Sequence, residues 1–213
     1  MLLYNSAVSG NCYKVRLLLT HLGIEYETRE VDVVDRTTPR DFLDGLNPAR
    51  RVPTLVLDDG RPLAESNAIL WYFGEGTRFV PDDRYARAQV LQWMFFEQYE
   101  HEPAIAVARF LKTYSGHPQL YDARRDELTK RGEKALRALE QGLDGRDWLV
   151  GDGMTIADIA LYAYTHAAGE GGFSLDAYPA IRRWVQRVAA EPGHIAIDGY
   201  GEAGERVAVA PEP

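Results

Sequence analysis

Over residues 1–76 the spacing of apolar positions changes period several times; after residue 84 it settles into one. Leu2-Leu3-Tyr4 is a short apolar run of strand type. In residues 13–22, Val15, Leu18, Leu19 and Leu22 recur at intervals of three and four, which predicts a helix. Gly23 follows as its C-terminal cap. Residues 26–33 (YETREVDV) predict a second strand, and a strand–helix–strand crossover makes the two strands parallel. Thr38-Pro39 opens a short helix, with the proline suited to a first turn, and Asn47-Pro48 ends it. Residues 54–57, the turn Asp58-Asp59-Gly60 and residues 61–63 predict a β-hairpin. Residues 65–75 (ESNAILWYFGE) predict a helix.

The pattern breaks at GTRFVPDDR and then becomes almost purely helical. Helices are predicted over 85–114 (bent near Pro103), 120–143, 155–168 and 178–190, with an irregular segment from Gly199 on. The expected organisation is an α/β domain over 1–76, ordered βαβ then ββα, a linker over 77–84, and an all-helical domain over 85–213.

Bulk properties narrow the function. The 213 residues are 46% hydrophobic and 26% charged, the balance of a globular chain with ample core. A net charge of −8 argues against nucleic acid and anionic membrane as partners. No apolar run approaches the ~20 residues of a membrane span. The opening MLLYNSAVSGN has no basic stretch ahead of an apolar run, so no secretory leader is expected. Cys12 is the single cysteine, which precludes an internal disulfide and suits a reducing, cytoplasmic setting. No Cys/His cluster has zinc spacing, and no metal is expected; Glu97 and His101, four apart, suit a salt bridge.

The candidate chemistry gathers at helix starts. Ser9 precedes the first helix, where unpaired N–H groups stabilise negative charge. It suits two roles: a cap, or a donor that holds another molecule's thiolate and lowers its pKa. Cys12 lies one turn further in and reads as a packed residue, since disulfide exchange needs a second thiol. Val52-Pro53 precedes a strand, and its bond is read either as plain trans or as cis with Val52 offering its backbone to an extended ligand. Glu65-Ser66 opens a helix and forms a receptor for an α-amino acid group, Glu65 for the ammonium and Ser66 for the carboxylate; both also suit an ordinary helix start. Thr155-Ile156-Ala157-Asp158 reads as a capping box, with Met154 and Ile159 at the staple positions.

Taken in order, Ser9-Gly10-Asn11, the run Asn47-Pro48-Ala49-Arg50-Arg51-Val52-Pro53-Thr54-Leu55, Glu65-Ser66-Asn67-Ala68-Ile69 and Thr155-Ile156-Ala157-Asp158 resemble the glutathione transferase family, over roughly residues 1–195. The resemblance implies a thioredoxin-like N-terminal domain that binds glutathione and a helical domain that supplies an electrophile pocket. It implies that Ser9 stabilises the glutathione thiolate with Asn11 assisting, as in serine-type members. It further implies that Val52, before a cis Pro53, pairs with the cysteinyl backbone, that Arg51 contacts the peptide, and that Glu65 and Ser66 hold the γ-glutamyl end. Arg50 stands where the pattern often has glycine, and Gly10 where it often has proline. Phe95, Tyr99 and Tyr162 are the expected pocket wall for a small apolar electrophile. A cytoplasmic, detoxifying homodimer is the implied form. The alternatives are a non-catalytic carrier of glutathione or an apolar ligand, and a glutathione-dependent reductase or lyase using Cys12.

Overall fold

The structure is a computed structural model, described for residues 1–34, 41–199 and 206–207. The chain divides into two compact units: Met1–Gly74 joined by the segment that begins at Pro192, and Glu75–Glu191.

The first unit is built on β1 (Leu2–Asn5), α1 (Gly10–His21), β2 (Glu27–Glu30), β3 (Thr54–Val56), β4 (Pro62–Ala64) and α2 (Ser66–Gly74). β1 and β2 are parallel, with Leu2 opposite Glu27. β3 runs antiparallel to β1, with Tyr4 opposite Thr54, and β4 antiparallel to β3, with Thr54 opposite Ala64. This is the expected thioredoxin-like arrangement. A further short strand, β5 (Arg206–Val207), lies parallel to β2 and completes the order β4-β3-β1-β2-β5. Successive strand residues point to opposite faces. Leu3 therefore joins Val15, Leu19, Tyr26, Leu55 and Ile69 on the helix-covered side, while Tyr4 packs with Val31 and Leu43 on the other.

α1 begins three residues before the apolar periodicity does, because Gly10, Asn11 and Cys12 are weak helix formers that a side-chain cap holds in place. Gly23 ends it as expected, at φ +64, with Ile24 N donating to Leu19 O. The expected helix start at Thr38-Pro39 lies outside the described residues; Asp41–Leu43 forms one tight helical turn. The segment beginning at Pro192 departs from the expected division, which placed everything after residue 84 with the helices. Its reason is a set of hydrogen bonds to α1: Tyr13 Oη donates to Ile195 O (2.7 Å), and Arg16 donates to Ile197 O and Gly199 O.

In the second unit the helix expected over 85–114 is interrupted twice. α3 (Arg84–Phe96) is capped by Asp83, whose Oδ1 accepts from Ala86 N (2.9 Å). Over Glu97–His101 the helix widens, and Glu102 N donates to Glu97 O, five residues back. Pro103 explains the place: it has no N–H for the carbonyl four residues back, and its ring crowds that carbonyl. α4 (Glu102–Arg109) follows, then a second widened turn, Phe110–Tyr114. α5 (Pro118–Asp122) and α6 (Arg125–Gly142) replace the single helix expected over 120–143. α6 packs so closely that a Cβ on Gly132 would lie 2.3 Å from the Phe173 ring. α7 (Ile156–Thr165) starts on the expected capping box, and α8 (Pro179–Ala189) follows. The box extends beyond the local motif. The buried carboxylate of Asp158 accepts from Thr155 N (2.8 Å), Thr155 Oγ1 (2.9 Å), Leu149 N (3.0 Å) and Trp184 Nε1 (2.9 Å), joining α7, α8 and the loop before them. Among the described residues no helix is long and apolar enough to cross a membrane.

Candidate active site

The site is assembled at one end of the sheet. Tyr4 faces Thr54 and Thr54 faces Ala64. Carrying that register on by one residue sets Pro53 between Asn5 and Glu65. The Ser6–Ser9 loop, Val52-Pro53 and Glu65-Ser66 therefore emerge side by side, although they are far apart in sequence.

Ser9 is the N-cap of α1, with extended backbone (φ −83, ψ 118). Its Oγ accepts from Cys12 N at 3.3 Å, and its N–H donates to Ser6 O at 3.1 Å. A hydroxyl that accepts still carries its own hydrogen to give. Asn11, half-buried in the first turn of α1, accepts from Ser66 Oγ at 3.3 Å. That bond joins the N-terminus of α1 to the N-terminus of α2. Each end carries the positive pole of a helix dipole, so together they favour an anionic ligand.

Glu65 caps α2 through its carbonyl, which accepts from Ile69 N (3.0 Å), and does so at φ +67. A left-handed backbone is uncommon for a residue with a Cβ and costs about 1–3 kcal/mol. Its carboxylate is exposed, while Ser66 is buried.

The Val52–Pro53 bond is cis, one of the two readings of the sequence. Pro53 is buried, Val52 half-buried and Arg51 exposed. Asn47 holds the loop before them: Nδ2 donates to Arg51 O (3.0 Å) and Thr54 Oγ1 (3.0 Å), and Oδ1 accepts from Ala49 N (2.9 Å). Thr54 Oγ1 also donates to Arg51 O at 2.7 Å. Arg50 takes the left-handed conformation (φ 49) that glycine would occupy without strain. Its guanidinium grips Asp44 through Nε (2.6 Å) and Nη2 (3.0 Å), and reaches Asp41 through Nη1 (3.3 Å). The sequence marks Arg50 as an exception to a glycine pattern; the two aspartates on the preceding turn are the available signal for what holds it.

Cys12 is fully buried, and Ser6 N donates to its Sγ at 3.3 Å. Burial pushes its thiol up to about 11, against the opposing pull of hydrogen bonds from Ser9 and Ser6 and of the Arg16 charge. At neutral pH it is a neutral thiol inside the fold.

The expected electrophile wall does not form one surface within the helical unit. Phe95 and Tyr99 stand out from it at 69% and 79% exposure. Tyr162 is buried, stacked on His166 (4.6 Å between centroids) and edge-on to Trp184 (6.0 Å). Glu97 and His101 are buried as well. His101 Nε2 lies 2.9 Å from Thr165 Oγ1, and Glu97 accepts from Gln98 Nε2 at 2.8 Å. Among the described residues there is no group of three or more His, Cys, Asp or Glu placed to hold a metal ion.

Residues 8–75 match the family model for the glutathione S-transferase N-terminal domain, and residues 95–192 the one for the C-terminal domain. This chain belongs to the glutathione S-transferase family. The N-terminal match takes in Ser9, Asn11, Val52-Pro53 and Glu65-Ser66, and the C-terminal match the capping box of α7. The glutathione S-transferase from Pseudomonas fluorescens is similar in structure, with a TM-score of 0.87 and 49% identity, covering 92% of this chain and 98% of that one. The Escherichia coli disulfide-bond oxidoreductase YfcG is 27% identical over 193 residues, 87% of this chain and 89% of its own. The yeast prion protein Ure2p, solved in complex with glutathione, has a TM-score of 0.80 at 25% identity, covering 90% of this chain and 95% of that one. The family thus spans more than one thiol chemistry on this fold.

Proposed function

We propose that this chain is a serine-type glutathione transferase. Glutathione lies extended across the first unit, its γ-glutamyl end at Glu65 and Ser66 and its cysteinyl backbone against Val52, with Arg51 beside the peptide. Its sulfur lies at Ser9. The observation that carries this reading is the paired helix start: a serine cap at the N-terminus of α1, which Asn11 and Ser66 tie to a second helix N-terminus. The binding of glutathione by Ure2p supports the choice of ligand.

The thiol gives its proton to solvent, and the thiolate left behind accepts a hydrogen bond from Ser9 Oγ in the field of α1. Its lone pair then forms a carbon–sulfur bond to an apolar electrophile. The electron pair displaced at that carbon leaves with a leaving group, or takes a proton from solvent where the reaction is an addition. Moving the thiol pKa from ~8.5 to ~6.5 is worth about 2.7 kcal/mol and converts a few per cent of thiolate at pH 7 into a majority. A less basic thiolate is a weaker nucleophile, so positioning supplies much of the remaining rate.

Cys12 does not suit a rival role as nucleophile, being buried and held as a thiol. A reducing cytoplasm suits it. We assign the chain as a homodimer, supported by exposed aromatic side chains on the helical unit: Tyr85, Phe95 and Tyr99, the last two four residues apart. Titration of the bound glutathione thiol by its ultraviolet absorbance tests the main reading. A thiolate persisting below pH 7 in the native protein, and absent in Ser9→Ala, is expected. A thiol that titrates at its free value in the native protein would leave a carrier, not a transferase.

A further inference from the structure

Tyr13 and Arg16 lie one turn apart on α1, and both are fully buried although both side chains end in polar groups. A guanidinium taken out of water is costly unless its donors are paired. Arg16 gives its donors to main-chain carbonyls: Nη2 to Ile197 O (2.5 Å), Nη1 to Gly199 O (3.1 Å), and Nη2 to Ala7 O (3.5 Å). Tyr13 Oη donates to Ile195 O (2.7 Å) and meets His194 Nε2 at 3.2 Å. His21 Nδ1 lies 2.9 Å from Pro192 O. Gly193, at φ +86, passes so near that a Cβ there would sit 3.1 Å from the same nitrogen. Residues 192–199 are thus a strap fastened along α1.

Residues 192–199 and β5 each stand behind one of two holds on the loop that carries Ser9. Ala7, two residues before Ser9, is held at its carbonyl by Arg16 and at its N–H by Glu30 Oε2 (3.2 Å). Glu30 also accepts from Asn5 Nδ2 and is the last residue of β2. β5 pairs with β2 at Thr28 and Arg29, immediately before Glu30.

We propose that residues 192–199, with β5, act as a latch on the β1–α1 loop, and that Arg16 is the positioning residue joining latch to loop. This rests on the assignment of Ser9 to the glutathione sulfur. A loop free to shift by about an ångström still binds glutathione through Val52, Glu65 and Ser66, but no longer aims the Ser9 hydroxyl. Releasing the latch therefore lowers kcat and raises the pH at which bound thiol ionises, with little change in the KM for glutathione.

The test uses the full chain as Arg16→Met and Arg16→Lys, read by hydrogen exchange and by titration of bound glutathione. In Arg16→Met, amides over both 192–199 and 6–12 are expected to exchange about tenfold faster. In the same variant kcat falls about tenfold and KM stays within about threefold. Arg16→Lys keeps the charge but cannot fork between two carbonyls, and recovers only part of the loss. Faster exchange over 192–199 with native exchange over 6–12 would overturn the latch, whatever the chemistry. If both segments loosen but Ser9→Ala leaves the thiol titration untouched, the Ser9 assignment fails and the latch stands. Should Arg16→Met not fold, Tyr13→Phe removes the bonds to Ile195 and His194 and leaves Arg16 in place; the same comparison applies, with changes of about threefold.

Discussion

Replacing Ser9 by alanine removes two interactions that can be measured apart. The first is the cap: Ser9 Oγ accepts from Cys12 N at 3.3 Å, and losing an N-cap acceptor costs about 1 kcal/mol. For a chain of this size that is a fall of roughly 2–4 °C in melting temperature. The second is the hydrogen that Oγ would turn from the Cys12 thiol to a bound glutathione sulfur. A hydrogen bond to a charged group is worth about 1.5–3 kcal/mol, and each 1.36 kcal/mol is one pKa unit, so the bound glutathione thiol rises by about one to two units. Starting from ~6.5, thiolate at pH 7 drops from about three-quarters to about a quarter or less. The assay is the absorbance of the bound thiolate followed from pH 5 to 9, alongside a melting curve for each protein. Glutathione affinity is expected to change little, because the proposed binding mode leaves Val52, Glu65 and Ser66 to hold the rest of the peptide. A melting temperature that falls as expected beside an unmoved thiol titration would make Ser9 a cap and nothing more.

Four further outcomes are expected. Native Cys12 should react with iodoacetamide at pH 8 at least about a hundredfold more slowly than in denaturant, since a thiol near 11 is scarcely ionised there; equal rates would contradict its burial. Because its folded pKa lies above its ordinary 9.0, the group leaves stability intact below pH 9 and drains it as pH climbs toward 11, a loss absent in Cys12→Ala. Asp158→Ala strands four buried donors and should lower unfolding stability in urea by about 3–5 kcal/mol; a loss under about 1 kcal/mol would show that they find other partners. Tyr99→Glu with Phe95→Glu should halve the mass in sedimentation equilibrium, whereas a native chain that is monomeric at every concentration would dispose of the dimer.

Local chemistry was legible in the sequence wherever neighbouring residues carry it. The three-and-four spacing in α1, the αL glycine at its end, the Asp58-Asp59-Gly60 turn and the Thr155–Asp158 box each state their own geometry. Long-range partners were not. Nothing near Asp158 announces Leu149 or Trp184, and nothing near Asn11 announces Ser66, 55 residues away. Arg16 misleads a pattern reading outright: a charged residue in a helix is assigned to solvent, yet this one is fully buried. Its partners at Ile197 and Gly199 are backbone carbonyls, which every residue has, so the strap leaves no trace in side-chain chemistry. Pro103 marked the right place for a break, but a proline alone does not distinguish a bend from a widened turn.

The first unit is stitched from residues on both sides of the second, and this sets a timetable for synthesis. A ribosome delivers Met1–Gly74, then all of Glu75–Glu191, and only then the segment that closes over α1. The intervening stretch takes on the order of ten seconds to translate, long enough for the helical unit to fold by itself. The first unit is consequently the last part of the chain to be completed. A nascent chain released early would carry a finished helical unit and a first unit still lacking the segment that begins at Pro192.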